Sequence, residues 1–173
     1  MPTPVFSHIL GTIALIGIMT STVLLYSSIL VYSKFTIAKT MLSEIANYVA
    51  SEITDTGVLY NLGANTGFFR RLYIPKGVQG QGYTIEIVQE PDGFYLEVYL
   101  DTAKWVKAKV KIGTTQPSDI EYNTDVSTIS EVILSGRIIK YSGLIYSGIK
   151  NPVVVCIRKD NDKVFISLGW VED

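Results

Sequence analysis

The chain of 173 residues is poor in the side chains that carry most protein chemistry, since it has one histidine and one cysteine. The single cysteine, Cys156, cannot form a disulfide within the chain, and one Cys with one His is too few for a zinc site. A Ser-His-Asp triad would have to use His8, which lies inside an apolar run. These shortages predict that the protein is not an enzyme, has no cofactor or metal, and takes no small-molecule substrate.

The chain also lacks an excess of either charge. It has 15 Lys and Arg residues and 16 Asp and Glu residues, which gives a net charge of −1. A nucleic acid partner would require a basic face, so the balance predicts that no nucleic acid is needed. Every charged residue lies at or after Lys34, and this uneven distribution is the main feature of the sequence.

The opening 33 residues therefore form an uncharged segment. Val5 to Tyr32 read VFSHILGTIALIGIMTSTVLLYSSILVY, interrupted only by Gly, Ser, Thr and His8. As a helix, this run would span roughly 42 Å, more than the ~30 Å hydrocarbon core of a bilayer. A cleaved secretory signal has a shorter apolar stretch after a basic start. The run instead predicts a transmembrane helix or the core helix of a filament.

The pattern becomes amphipathic after Lys34, with no Gly or Pro between the two parts. Apolar residues then recur every three or four positions, as expected for one face of a helix. They are Ile37, Met41, Ile45, Tyr48, Val49 and Ile53. We predict one continuous helix from about Val5 to about Ile53, stopped at Asp55-Thr56-Gly57. The predicted domains are a helical region 1–54, apolar over 5–33 and amphipathic over 34–54, and a head at 55–173.

Two sets of helix residues are candidate functional positions. Small residues in the apolar run allow helices to approach closely, and with their apolar neighbours they form the candidate assembly set: Gly11, Ala14, Leu15, Gly17, Ile18, Ser21 and Leu25. The candidate residues for packing against the head are Ile37, Met41, Ile45 and Val49. The hydroxyls of Thr12, Thr20, Thr22, Ser27 and Ser28 are expected to bond back to helix carbonyls. His8 is expected either to sit at an interface or to cap a neighbour.

After the helix the sequence period changes from 3.6 residues to two. Residues 57–68 are predicted to be a loop, and residues 113–128 a loop with a short edge strand. Two hairpins are predicted, one joining 83–88 to 94–100 through Glu90-Pro91-Asp92-Gly93 and one joining 153–158 to 164–168. Further strands are expected at 105–112, 132–134 and 138–141. About six or seven strands against a helix predict an α+β fold with an antiparallel, sandwich-like β domain.

Other motifs have simpler structural interpretations. The glycines of Gly77-Val78-Gln79-Gly80-Gln81-Gly82 are predicted to form a turn before a strand, since phosphate binding would need a helix behind them. Asp160-Asn161-Asp162 is predicted to be a turn, because a calcium loop needs a later glycine and a terminal glutamate. Arg70-Arg71 is predicted to be a solvated strand edge, and Cys156 a buried apolar residue.

The helix, with Gly11-Thr12-Ile13 inside a long uncharged run that turns amphipathic near Lys34, resembles archaeal type IV pilins and archaellins. The stretch LYIPKGVQGQGYTI at 72–85 is similar to a pattern in archaeal pilin-like surface proteins, where an aliphatic-Pro turn and a glycine precede a Tyr-x-Ile strand. The resemblance covers about the first 100 residues and implies a homopolymer whose helices bundle along a filament axis, with β domains outward. It also implies a membrane-embedded precursor.

Three functions are compatible with these observations. The first is a structural subunit of an extracellular type IV pilus-like filament that serves adhesion or surface attachment. The second is a single-pass, membrane-anchored accessory component of such a machine. The third, a membrane-bound enzyme or solute-binding module, is weakened by the lack of convergent titratable groups.

Overall fold

A computed structural model describes residues 4–61, 67–113, 120–158 and 163–172. It contains one helix, α1 (Pro4–Asn61), whose side chains are described from Phe6 to Tyr60. The chain divides into two compact units, Met1–Ile37 and Ala38–Asp173. The second part of α1 therefore belongs to the same unit as the β strands.

The helix continues beyond its predicted stop, because Gly57 is an internal helix residue and not a cap. A Cβ on Gly57 would lie 3.3 Å from Ile120 Cδ1 and 3.5 Å from Ile166 Cδ1. Thr56 is fully buried, and its hydroxyl donates to the Glu52 carbonyl oxygen at 2.6 Å. Glycine at position 57 therefore serves close packing of α1 against the strands, a role that a residue pattern cannot distinguish from helix termination.

Ten strands lie among the described residues, in two sheets. In chain order they are β1 (Phe68–Arg71), β2 (Tyr83–Glu90), β3 (Gly93–Leu100), β4 (Lys107–Gly113), β5 (Ile120–Tyr122), β6 (Ser130–Leu134), β7 (Arg137–Ser142), β8 (Leu144–Tyr146), β9 (Pro152–Arg158) and β10 (Val164–Val171). The first sheet has the order β1-β9-β10-β7-β6, with β5 also pairing with β10. The second has the order β4-β3-β2-β8. The helix and antiparallel sheets confirm the predicted α+β class.

The predicted hairpins are confirmed. β2 and β3 pair in antiparallel register from Tyr83 opposite Leu100 to Glu90 opposite Gly93. β9 and β10 pair in the same way, and the hairpin of β6 and β7 turns through Ser135 and Gly136, both with positive φ, as a two-residue primed turn requires. Burial alternates along most of β3, whereas β9 and β10 are buried along most of their length.

Three strands differ from the sequence prediction. β8 was not predicted, β1 was expected only as a strand edge at Arg70-Arg71, and β5 is the short strand expected within residues 113–128 but pairs in parallel with β10. β1 joins β9, more than 80 residues later in the chain, from Phe68 opposite Cys156 onwards. These strands have three or four residues, too few to show a period, and tertiary pairing decides their structure.

The first sheet curves around a small apolar core. Four residues, Ile139, Val153, Val155 and Val171, are buried together, and Phe69, Val132, Leu134, Tyr141 and Ile157 pack against them. Leu134 lies on edge strand β6, yet its Cδ2 is 3.0 Å from the Cβ position of Gly67, just before the opposite edge strand β1. The two edges of this sheet therefore approach each other over a shared set of side chains.

Within the second unit, α1 buries one continuous face. Its buried residues are Ala38, Leu42, Ile45, Ala46, Val49, Ala50, Ile53 and Thr56. At about 100° per residue, this face is rotated by roughly a quarter turn from the stripe of larger residues seen in the sequence. The difference arises from Ala38, Ala46 and Ala50, which are buried although alanine contributes little to an apolar pattern.

We expect Gly169→Ala to destabilise the head strongly, because a Cβ there would overlap the Lys140 carbonyl oxygen and lie 3.0 Å from Tyr141 Cβ. Backbone must move to relieve that overlap, at a cost of at least about 2 kcal/mol. Urea unfolding of the full chain in detergent, followed by circular dichroism of the strands, measures this change. Gly17→Ala is the control, because nothing lies within 4 Å of its Cβ position. Equal midpoints for the two variants would contradict the described packing.

Candidate functional site

The candidate site is the part of α1 that belongs to the first unit. From Phe6 to Ile37 every side chain is exposed except Phe35, which is half-buried. Sixteen large apolar or aromatic side chains between Phe6 and Tyr32 have 46% to 76% of their surface exposed. Leaving so many side chains in water would cost on the order of tens of kcal/mol. Such a helix requires lipid, or apolar surfaces of other molecules, around it.

Seven hydroxyls of this segment bond within the helix itself. Each of them donates to the carbonyl oxygen four residues earlier, as in Thr12 to His8 at 2.9 Å and Ser27 to Val23 at 2.8 Å. Thr20, Ser21, Thr22, Ser28 and Thr36 do the same. The prediction for the five hydroxyls is confirmed, and these side chains can enter an apolar environment without losing a hydrogen bond.

The candidate assembly residues all lie on this exposed segment. Gly11, Ala14, Leu15, Gly17, Ile18, Ser21 and Leu25 occupy an arc of about 160° around the helix axis. A Cβ on Gly11 or Gly17 would have open space around it. Glycine inside a helix costs about 1 kcal/mol relative to alanine, and no contact within the described chain offsets that cost. The two glycines leave room for a close neighbour.

The candidate head-packing residues differ in burial along the helix. Ile45 and Val49 are buried, at 7% and 0% exposure, whereas Met41 is half-buried. Ile37 is 47% exposed and belongs to the first unit, and the buried face begins at Ala38. The sequence did not indicate Ala38, Leu42, Ala46 or Ala50 as packing residues, and only their spacing of four could have suggested them.

The basic pair after the helix has two separate roles. Successive residues of a strand point to opposite faces, so the two arginines diverge. Arg70 Nε pairs with Glu52 Oε2 of α1 at 2.5 Å, and its Nη1 lies 3.5 Å from Asp55 Oδ2. Arg71 is exposed, and its Nη2 donates to Asn151 Oδ1 at 2.8 Å. Only Arg71 fits the predicted solvated edge, because Arg70 links β1 to the helix.

The described residues contain no group of three His, Cys, Asp or Glu side chains that could hold a metal ion. Cys156 is fully buried, and burial raises the pKa of its thiol to about 12, so it is not a nucleophile at neutral pH. Around Gly80, Val78 and Gln81 exchange two backbone hydrogen bonds of 2.9 Å, and the predicted turn before a strand is confirmed. Asp160-Asn161-Asp162 lies outside the described residues.

Two groups with an altered pKa, one carboxylate and one phenol, have structural partners. Asp125 accepts hydrogen bonds from Ser127 and Thr128, and the Ser127 hydroxyl is the main cause that lowers the Asp125 pKa to about 2. Burial, followed by the nearby Glu86 carboxylate, raises the pKa of Tyr99 to about 12. Both groups keep their ordinary charge at neutral pH and stabilise a loop and a sheet face.

Comparison with models of protein families, with curated proteins and with solved structures finds no match for this chain. The class that the structure defines is therefore general: an α+β protein with one N-terminal helix long and apolar enough, by length and composition, to cross a membrane. The resemblance to archaeal pilins stays a prediction from the sequence.

We expect the full chain to remain with the membrane fraction after washing with alkaline carbonate, and to require detergent for release. The physical reason is the exposed apolar surface between Phe6 and Tyr32, which lipid or detergent must cover. Immunoblotting of the pellet and supernatant measures the distribution. A chain that stayed soluble and monomeric without detergent would contradict this description of the site.

Proposed function

We propose that this protein is a structural subunit of an extracellular, type IV pilus-like filament. In the filament, the apolar parts of α1 from many copies pack together along the axis and the β domains face outward. Before assembly, the same helix holds each subunit in the membrane. The filament serves adhesion or surface attachment, and the subunit itself needs no catalytic group.

The observation that carries this proposal is the pair Gly11 and Gly17 on a fully exposed apolar helix. Lipid alone would cover the apolar side chains equally well whether these positions held glycine or a larger residue. A neighbouring helix gains from glycine, because close backbone approach increases van der Waals contact. The internally bonded hydroxyls support the same role, since they require nothing from the neighbour.

The alternative is a single-pass anchor that displays the β domain as an accessory component of such a machine. The exposed helix supports this function too, because lipid satisfies its apolar surface. The two functions differ in what surrounds the helix in the working state: copies of the same helix in a filament, and lipid around an anchor.

We expect Gly17→Glu to abolish filaments, because an unpaired carboxylate cannot be buried among apolar helices. Electron microscopy and peptide mass mapping of material sheared from the cell surface measure the filament yield. Ser51→Glu is the matched control, since it adds the same charge at an exposed position of α1 in the second unit. Normal filaments from the Gly17 variant would overturn the proposal.

Gly17→Leu separates the filament from the anchor. Leucine keeps the segment apolar, so membrane insertion is retained, but it fills the open space at position 17. In a filament core, this variant should reduce filament yield at least about ten-fold, the effect of 1.4 kcal/mol lost at a subunit contact. An anchor would tolerate it, with the same membrane content and surface display as the wild type. A wild-type filament yield from Gly17→Leu would show that close approach of helices at this position is not needed for assembly.

A further inference from the structure

A cationic groove lies on the head, between the segment that follows β1 and the segment that joins β8 to β9. It has a volume of about 510 Å³, within the range of small-ligand sites. Its lining includes Arg71, Tyr73, Ile74, Lys76, Ile149 and Lys150. Three of the lining residues are cations, and none is an acid. The groove is therefore a local positive site on a chain whose net charge is −1.

The cations of the groove differ from most others in the head. Lys107, Lys109 and Lys111 each pair with a carboxylate, and so do Arg70 and Lys140. Among the residues that the structure describes, Arg71, Lys76 and Lys150 have no ion-pair partner. Like charges brought together in a concave surface strengthen the local field and attract anions.

Hydrogen bonds hold the first wall of the groove. Leu72 N donates to the Pro152 carbonyl oxygen at 2.8 Å, and Tyr73 N donates to the Tyr48 hydroxyl of α1 at 3.2 Å. The Tyr83 hydroxyl donates to the Pro75 carbonyl oxygen at 2.5 Å. Since these hydrogen bonds fix the backbone on this side, the positions from which Arg71 and Lys76 project are set before a ligand binds.

The second wall is held in the same way. Asn151 has a φ of 51°, a left-handed conformation that asparagine tolerates better than most residues. Its carbonyl oxygen accepts from Val171 N at 3.1 Å, and its side-chain oxygen accepts from Arg71 Nη2 at 2.8 Å. This contact orients the planar guanidinium and leaves its other donors for an oxyanion.

We propose that this groove binds an acidic sugar unit of a surface polysaccharide through its carboxylate, sulfate or phosphate oxygens. The groove is several times larger than a bare oxyanion, so the ligand must have an uncharged part, here the sugar ring, as well as an anionic group. Tyr73, with 79% of its surface exposed, offers an aromatic face to the sugar ring, and Ile74 and Ile149 offer apolar walls. Arg71 binds the oxyanion through its fork, and Lys76 and Lys150 add point charges.

A single-stranded nucleic acid is a poorer fit. Such ligands are bound along extended basic tracks with several aromatic side chains, each stacking one base. Here a single exposed ring and three cations converge on one compact groove. The proposal goes beyond the filament and does not depend on assembly, because all of the groove residues lie in one unit of one chain.

The test measures binding of the full chain in a non-ionic detergent to polygalacturonate, dextran sulfate, neutral dextran and oligothymidylate. We expect one or both acidic polysaccharides to bind at about 50 mM salt, more weakly as salt rises, and neutral dextran not to bind. Which acidic polymer binds shows whether the groove prefers a carboxylate or a sulfate. Tighter binding of oligothymidylate than of both polysaccharides would overturn the proposal in favour of a nucleic acid.

Variants locate the binding. Lys76→Gln with Lys150→Gln should weaken affinity at least about ten-fold, as expected for lost charge-assisted contacts. The control, Lys104→Gln with Arg137→Gln, removes the same charge from exposed positions that do not line the groove. Equal losses in both double variants, or no binding of either acidic polysaccharide, would overturn the proposal.

Tyr73→Ser adds a readout that charge alone would not change. The Tyr73 contact to α1 uses its backbone nitrogen, so the substitution keeps that hydrogen bond. The affinity should fall while its salt dependence stays the same. An unchanged affinity would contradict the proposed contact between the Tyr73 ring and the sugar. Filaments of the double groove variant should still form. If the wild-type chain forms filaments but binds no acidic polysaccharide, the groove proposal is wrong and the filament proposal stands. If it binds an acidic polysaccharide but forms no filaments, the filament proposal is wrong and the groove proposal stands.

Discussion

The exposed apolar surface of α1 between Phe6 and Tyr32 is the constraint on which the other properties of this protein depend. Folding of the chain does not cover these side chains, so they must be covered by lipid or by other molecules. Because seven hydroxyls along this segment bond within the helix, they can enter either environment without losing a hydrogen bond. In the proposed filament the same surface is first a membrane anchor and then an assembly core.

The second part of α1 has a different role, because its buried face contributes to the core of the β domain. Its buried face combines large residues such as Leu42 and Ile53 with alanines. Gly57 continues that face, and Glu52 binds Arg70 of β1 at 2.5 Å. One uninterrupted helix thus has two segments with different distributions of apolar residues. In the first unit nearly all of its surface is apolar, and in the second only one side is buried.

The distribution of charge explains why a nearly neutral head can have a cationic groove. On the second sheet, Lys107, Lys109 and Lys111 of edge strand β4 are balanced by Glu97, Glu90 and Asp92. Such lysines also protect an edge strand from pairing with other chains. At the groove, cations from separate segments meet without acids among the described residues. The net charge of −1 averages these two regions and therefore does not show the local charge of the groove.

The sequence by itself determined the features that arise from local pattern: the uncharged helix, its amphipathic continuation, and the hairpins β2–β3 and β9–β10. Only the tertiary structure decided the remainder. β1 and β8 are too short to show a period, and β5 lies parallel to β10, so their partners distant in the chain define them. The role of Gly57 and the shift of the buried face towards alanine depend on what packs nearby. The groove likewise joins Arg71 to Lys150, a distance in sequence over which no local pattern carries information.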